Sequence, residues 1–211
     1  HASRWADKIE DRDAFLKMTT TLILSLRGSV CLYQGEELGL TEALIPYEEL
    51  QDPYGIQFWP TFKGRDGCRT PMVWNHNAPN GGFSTAKPWL PIPPEHAHSA
   101  ADRHEGETNS LLAHYRAALK FRQRHPEFSK GSINFLEADE NALIFVREHD
   151  AAAMFVAINM SAKSVTINAA DESFIEIASP NVGGVVSGTH LTLEPYGSYF
   201  ARRMGGEEMS S

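Results

Sequence analysis

The chain is 211 residues long, enough for one large domain or two smaller ones with a real buried core. Hydrophobic content of 42%, charged content of 22% and a net charge of -8 put it in the ordinary globular range and exclude a basic nucleic-acid footprint. No stretch approaches the roughly 18 apolar residues of a membrane span; the longest apolar run, from Thr21 to Leu26, meets Arg27 at once. Cys31 and Cys68 allow at most one bridge, match no metal spacing and suit a reducing compartment, so the cytoplasm is expected, with the periplasm as the alternative. The chain opens on His1 and reads as a piece of something longer.

In chain order, Asp11 or Asp13 caps a predicted helix whose Phe15, Met18, Leu22, Ile23 and Leu26 fall near helical spacing. Arg27 suits the negative end of its dipole and Gly28 its stop. Ser29 to Tyr33 is short and apolar without alternation, the pattern of a strand buried on both faces of a parallel sheet. It ends in the polar, Gly-rich turn Gln34-Gly35-Glu36-Glu37-Leu38-Gly39, where loops after barrel strands carry sites.

From Thr41 to about Thr108 no periodicity is sustained, and most of the prolines fall here. Phe58, Trp59, Phe62, Trp74, Phe83 and Trp89 are too many large side chains for a linker, so this segment is expected to fold onto the body of the protein with its aromatics as packing anchors. Within it, Lys63 to Trp74 holds Arg65, Asp66 and Arg69 between Gly64, Gly67 and Thr70-Pro71. Ordering such a loop costs entropy, and arginine offers a rigid fork of donors for carboxylates or vicinal sugar hydroxyls. A functional arginine and a plain Arg-Asp surface pair both fit, with Met72 and Trp74 anchoring the loop on apolar surface.

A second helix is predicted from a cap near Thr108 or Asn109, with Leu111, Leu112, Tyr115, Leu119 and Phe121 as its apolar side and Pro126 as its end. Arg116, Lys120, Arg122 and Arg124 read as its solvated face. From Ser132 to Arg203 short β runs take over, with a hairpin between Ala142–Arg147 and Ala152–Asn159 and further runs at 165–167, 174–177, 191–193 and 199–201. The tail from Met204 is expected to fray. The fold class is therefore α/β plus all-β. One helix-strand-helix unit cannot bury a parallel strand on both faces, so residues 1–131 are expected to be the last β/α unit or units of a TIM (β/α)8 barrel, followed by a small antiparallel β-sandwich at 132–203 and a tail at 204–211.

In these motifs the chain resembles the C-terminal part of an α-glucosidase of glycoside hydrolase family 13, in the oligo-1,6-glucosidase and α-glucosidase branch. The motif that carries most is Arg65-Asp66-x-x-Arg69-Thr70-Pro71-Met72-x-Trp74, in which Val73 stands where that branch typically has Gln. Tyr33 to Gly39 resembles the end of the eighth barrel strand, Arg122-x-x-His125-Pro126 the end of the eighth helix, and Pro195-Tyr196-Gly197 the turn before the last strand of the C-terminal domain.

The resemblance implies a retaining hydrolase of terminal α-linked glucose with an Asp nucleophile and a Glu acid/base about 5 Å apart. A third Asp is implied in an Asn-His-Asp triplet just before the segment that His1 to Trp5 resembles. All three would precede residue 1, so no catalytic residue and no activity are expected in this chain alone. The resemblance assigns Arg65 to the glucose subsite, Asp66 to orienting Arg65 or the loop, and Arg69 and Trp74 to loop structure. It implies no cofactor and no metal. The partners would be an α-glucoside oligosaccharide and the missing N-terminal barrel portion, with no nucleic acid or membrane, and exposed apolar faces predict self-association. Two readings compete: a non-catalytic relative such as an amino-acid-transporter heavy chain, and a free-standing carbohydrate-binding or structural β module. The intact Arg65-Asp66 motif argues against the first, and the core-like placement of the β-domain aromatics against the second.

Overall fold

The computed structural model describes residues 3–6, 8–137, 140–180 and 183–204; the predicted tail beyond Met204 lies outside them. Contacts divide the chain into two compact units. One unit holds 1–8 and 32–113, the other 9–31 and 114–211. Both predicted helices thus belong wholly or almost wholly with the β strands.

The first unit begins with a short helix, α1 (Ser3–Ala6). Most of its remainder is loop, punctuated by 3-10 segments at Glu36–Leu38, Tyr47–Glu49, Asp66–Cys68, Pro79–Gly82 and Pro94–Ser99 and by the short helices α3 (Pro53–Gln57) and α4 (Ala101–His104). Ala43, Ile45, Leu50 and Leu90 form an aliphatic buried cluster, and Leu38, Leu40, Val73 and Ala100 are buried as well. The loop aromatics stand outside it. Phe58, Trp59, Phe62, Phe83, Trp74 (54% exposed) and Trp89 (58% exposed) all present much of their surface to solvent, contrary to their expected anchoring. The anchoring falls to polar contacts and to Val73, 1% exposed, while Trp74 contributes through its backbone, which bonds Gly81 and Asp102.

The second unit carries α2 (Arg12–Ser25), α5 (Leu111–Arg124, its first turn belonging to the other unit), α6 (Pro126–Lys130) and the strands. Of the two candidate caps Asp11 is the one used: its Oδ1 accepts the N–H of Ala14 at 3.0 Å. At the start of α5, Ser110 Oγ accepts from Ala113, one residue past the expected cap. Residues 29–33 form no strand. They lie mostly exposed and outside the strands of both sheets, and an apolar run becomes a strand only where a neighbouring strand completes its hydrogen bonds.

Among the described residues the strands form two antiparallel sheets. The first orders β1 (Ser132–Leu136), β2 (Ala142–His149), β3 (Ala152–Asn159), β8 (Ser198–Arg203) and β5 (Ile175–Glu176). The second orders β4 (Val165–Asn168), β7 (His190–Leu193) and β6 (Gly184–Ser187), the last of which was not among the predicted runs. Strand alternation sorts the core into two layers. Ala142, Ile144, Phe155, Ala157, Tyr199 and Ala201 pack with Leu191 and Leu193 of the second sheet. Phe145, Met154, Val156, Ile158 and Phe200 face the other way and pack with Met18 and Phe128. Central β3 is buried on both faces, which explains its unbroken apolar run.

Two arginines close the carbonyl ends of the helices. Arg147, on the helix-facing side of β2 and fully buried, donates to Ser25 O (2.7 Å), Phe128 O (2.9 Å), Gly131 O (3.0 Å) and Ser132 O (2.7 Å). Arg122, expected on a solvated face, instead donates to Leu24 O (2.6 Å), Leu26 O (2.9 Å) and Gly28 O (2.6 Å). The role assigned to Arg27 is thus filled from α5 and β2. Burial pulls the Arg147 pKa down to about 10, still well above neutrality. Replacing Arg147 by Met should destabilise the fold by about 3 kcal/mol or more in urea titration, since carbonyls would be left buried and unpaired. A loss below about 1 kcal/mol would show that water reaches these carbonyls.

His114 lies buried at the start of α5, its Nε2 3.0 Å from Lys17 O and 3.1 Å from Thr21 Oγ1. Burial lowers its pKa from 6.5, and burial does the same at His125. Below 6.5 the unfolded chain binds protons that the folded one refuses. Stability therefore declines as pH falls through that value and stops declining once the lowered folded-state value is passed. Denaturation between about pH 7.5 and about pH 5 should show this slope, and His114→Gln, which keeps a donor without a titration, should make it shallower, with His125 and His96, whose pKa values burial also lowers, supplying the rest.

Candidate functional site

The loop that contains the Arg65 motif is organised by two buried carboxylates of the first unit. Asp66 Oδ2 accepts the backbone N–H groups of Gln51 (2.6 Å) and Asp52 (2.8 Å), and its Oδ1 accepts Arg69 Nη2 at 2.5 Å. Asp66 therefore pairs with Arg69 and braces the loop; it does not orient the Arg65 side chain directly. That task falls to Asp52, which sequence reading did not single out. Arg65 Nε lies 3.0 Å from Asp52 Oδ2, Nη2 lies 3.3 Å from Oδ1, and the Arg65 backbone N–H reaches Oδ2 at 2.8 Å. A signal for Asp52 was present. Asp52-Pro53 is the N-cap and first-position signature of α3, and Asp52 Oδ1 does accept the N–H of Tyr54 at 3.2 Å.

Electrostatics follow from these contacts. Hydrogen bonding from the Arg65 side chain, reinforced by backbone N–H donors, holds the Asp52 carboxyl at about 2 against the opposing effect of burial. The same pair raises the Arg65 guanidinium above its ordinary value. Both glycines of the loop are sterically required. Gly64 has φ +75, and a Cβ there would meet Asp52 Oδ2 and Gly55 Cα at 2.9 Å. A Cβ on Gly67 would come 2.4 Å from the carbonyl oxygen of Ala43.

Arg69, expected as a structural partner, has its guanidinium carbon 5.5 Å from the Trp89 ring centroid as well as its bond to Asp66. Tyr33 interacts with Cys68 and Arg69; its pKa is raised first by burial and then by Cys68. Arg65 is the member of the motif whose side chain remains 65% exposed while its partner is wholly buried. Its fork to Asp52 uses Nε and Nη2, so the guanidinium can present its Nη1 edge to a polar ligand. Glu36 and Glu37 share a single 3-10 turn, with Glu36 Oε2 3.4 Å from the Tyr33 N–H. Among the described residues no cluster of His, Cys, Asp and Glu could hold a metal ion, and no helix is long and apolar enough to cross a membrane.

This architecture, a loop-rich segment with flanking helices followed by two antiparallel sheets, is shared with a solved alpha-glucosyl transfer enzyme, XgtA. The two superpose with a TM-score of 0.88 at 42% identity, over 96% of this chain and 38% of the other. Residues 1–131 match the profile of the alpha amylase catalytic domain, and residues 133–200 that of the maltogenic amylase C-terminal domain. The chain belongs to the alpha-amylase family. It is 47% identical over 96% of its length to a probable alpha-glucosidase of Rhizobium meliloti, and 30% identical over 75% to a probable oligo-1,6-glucosidase of Bacillus subtilis. It spans 36% and 32% of those proteins, about a third of their length.

Replacing Asp66 by Ala strands the Gln51 and Asp52 amides and the Arg69 guanidinium. Those two amides should then exchange with solvent at least about tenfold faster, as expected when a buried hydrogen-bonded charge is removed. Unchanged protection in hydrogen exchange would mean that another acceptor takes over.

Proposed function

We infer that this chain is the C-terminal portion of a retaining α-glucosidase acting on terminal α-linked glucose in oligosaccharides or disaccharides. The observation that carries the reading is the 47% identity to a probable alpha-glucosidase across 96% of the chain. In this reading residues 1–131 close the catalytic barrel and residues 132–203 form the accompanying β domain. The nucleophile, the acid/base and the third carboxylate lie in the N-terminal part of the parent protein, so the chain alone is inactive. Its contribution is to binding. Arg65 donates to hydroxyls of the non-reducing glucose, and the Asp66–Arg69 pair holds the loop that presents it. The exposed aromatics of the long loop meet the N-terminal barrel portion, which converts them into the anchors their composition implies. The parent enzyme works in the cytoplasm and needs no cofactor.

A second reading concerns the acceptor. The similarity to an alpha-glucosyl transfer enzyme favours glucosyl transfer to a hydroxyl in place of hydrolysis, through the same glycosyl-enzyme intermediate. The two differ in what attacks that intermediate, water or a hydroxyl of an acceptor sugar.

Hydrolysis of 4-nitrophenyl α-D-glucoside tests the reading, with the purified chain alone and mixed with a separately expressed N-terminal barrel portion. No turnover alone and turnover on mixing are expected, and Arg65→Ala should then lower kcat/KM by about 100-fold. Turnover by the chain alone would place the catalytic carboxylates within it and overturn the assignment. A maltose acceptor added to the same assay separates hydrolysis from transfer by the products formed.

A further inference from the structure

We propose that Asp52 is the positioning residue for Arg65, fixing the plane and direction of its guanidinium so that the outer edge is offered to a ring hydroxyl of an α-glucoside. The inference rests on the reading of Arg65 as a sugar ligand. Four features of the structure carry it. The fork is two-pronged, Nε to Oδ2 at 3.0 Å and Nη2 to Oδ1 at 3.3 Å, which fixes both tilt and rotation where a single contact would leave a swivel. The same Oδ2 accepts the backbone N–H of Arg65 at 2.8 Å, so the main chain and side chain of one residue are indexed to one oxygen.

Asp52 in turn has little freedom. It is fully buried, its Oδ1 caps Tyr54 at 3.2 Å, and its own N–H is held by Asp66 Oδ2 at 2.8 Å. Gly64 leaves room for this packing where a Cβ would press on Asp52 Oδ2 at 2.9 Å. An exposed ion pair adds little stability and a fully buried one is offset by desolvation, so stability alone gives little reason for this pair. Here the carboxylate is buried and the arginine side chain is 65% exposed, which suits presentation of a pre-oriented donor. Asp66 then acts one step further back, by placing the backbone of Asp52.

The test is a double-mutant cycle in the full-length protein that carries this chain, assayed on 4-nitrophenyl α-D-glucoside. Asp52→Asn should lower kcat/KM by about tenfold, mostly through KM, and Arg65→Ala by about 100-fold; the double variant should be no worse than Arg65→Ala, because positioning has no effect once its object is gone. Asp52→Ser retains a helix-capping oxygen but cannot fork. It should therefore not recover activity, whereas full recovery would assign Asp52 to capping alone. Losses that multiply in the double variant, or an Asp52→Asn enzyme identical to wild type, overturn the proposal. Arg65→Lys probes the same fork from the other side if an Asp52 variant fails to fold, since it keeps the charge without the two-pronged geometry; wild-type kcat/KM in it would equally overturn the proposal. An inactive wild type would remove the glucosidase reading and this inference together. An active wild type with an indifferent Asp52 would remove the inference alone.

Discussion

The loop unit depends on ionised carboxylates that have been taken out of water. A buried carboxylate is tolerated only when donors surround it, so Asp66 demands the amides of Gln51 and Asp52 and the Arg69 guanidinium together, and Asp52 demands Arg65 and Tyr54. These demands are local and directional. They draw segments of the loop, residues 51–54 and 64–69, into one arrangement beside the aliphatic cluster of Ala43, Ile45, Leu50 and Leu90, while the loop aromatics stay exposed.

The other unit meets the reverse problem, carbonyls in place of carboxylates. The last turn of any helix leaves acceptors unpaired, and packing a helix end against a sheet hides those acceptors from water. Arg147 from β2 and Arg122 from α5 both supply donors to the end of α2, and Arg147 also serves the end of α6. The Arg147 guanidinium also stands 5.9 Å from the centroid of the Phe128 ring, so one side chain links the polar ends to the apolar layer formed by Phe145, Met154 and Phe200.

The functional consequence is a division of labour inside one short motif. Of its two arginines, Arg69 is drawn toward Asp66 and Trp89, while Arg65 keeps most of its surface outward on a fixed base. Val73, at the position where the α-glucosidase branch typically has Gln, is the buried residue of the motif's end, and a Cβ on Gly81 would lie 2.9 Å from its Cγ1. Branched carbon at this buried position needs no hydrogen-bond partner, as a buried amide would.

Much of this protein is legible in its sequence, because patterning and capping are local. The helix begun by Asp11, the hairpin across Asp150, the alternation of β2 and the helix-ending Pro126 all follow from neighbours within a few residues. The Arg65-Asp66 motif was visible for the same reason, since its glycines and proline mark an ordered loop. What the sequence could not settle was partnership. Whether 29–33 became a strand, whether Trp74 or Val73 was buried, and whether Arg122 met solvent or helix carbonyls all depended on distant surfaces. Most of all, Asp52 reads as a helix cap from its neighbours. Only the tertiary fold brings it to Arg65, 13 residues further along the chain, because a buried charge takes whatever donor the surrounding backbone delivers.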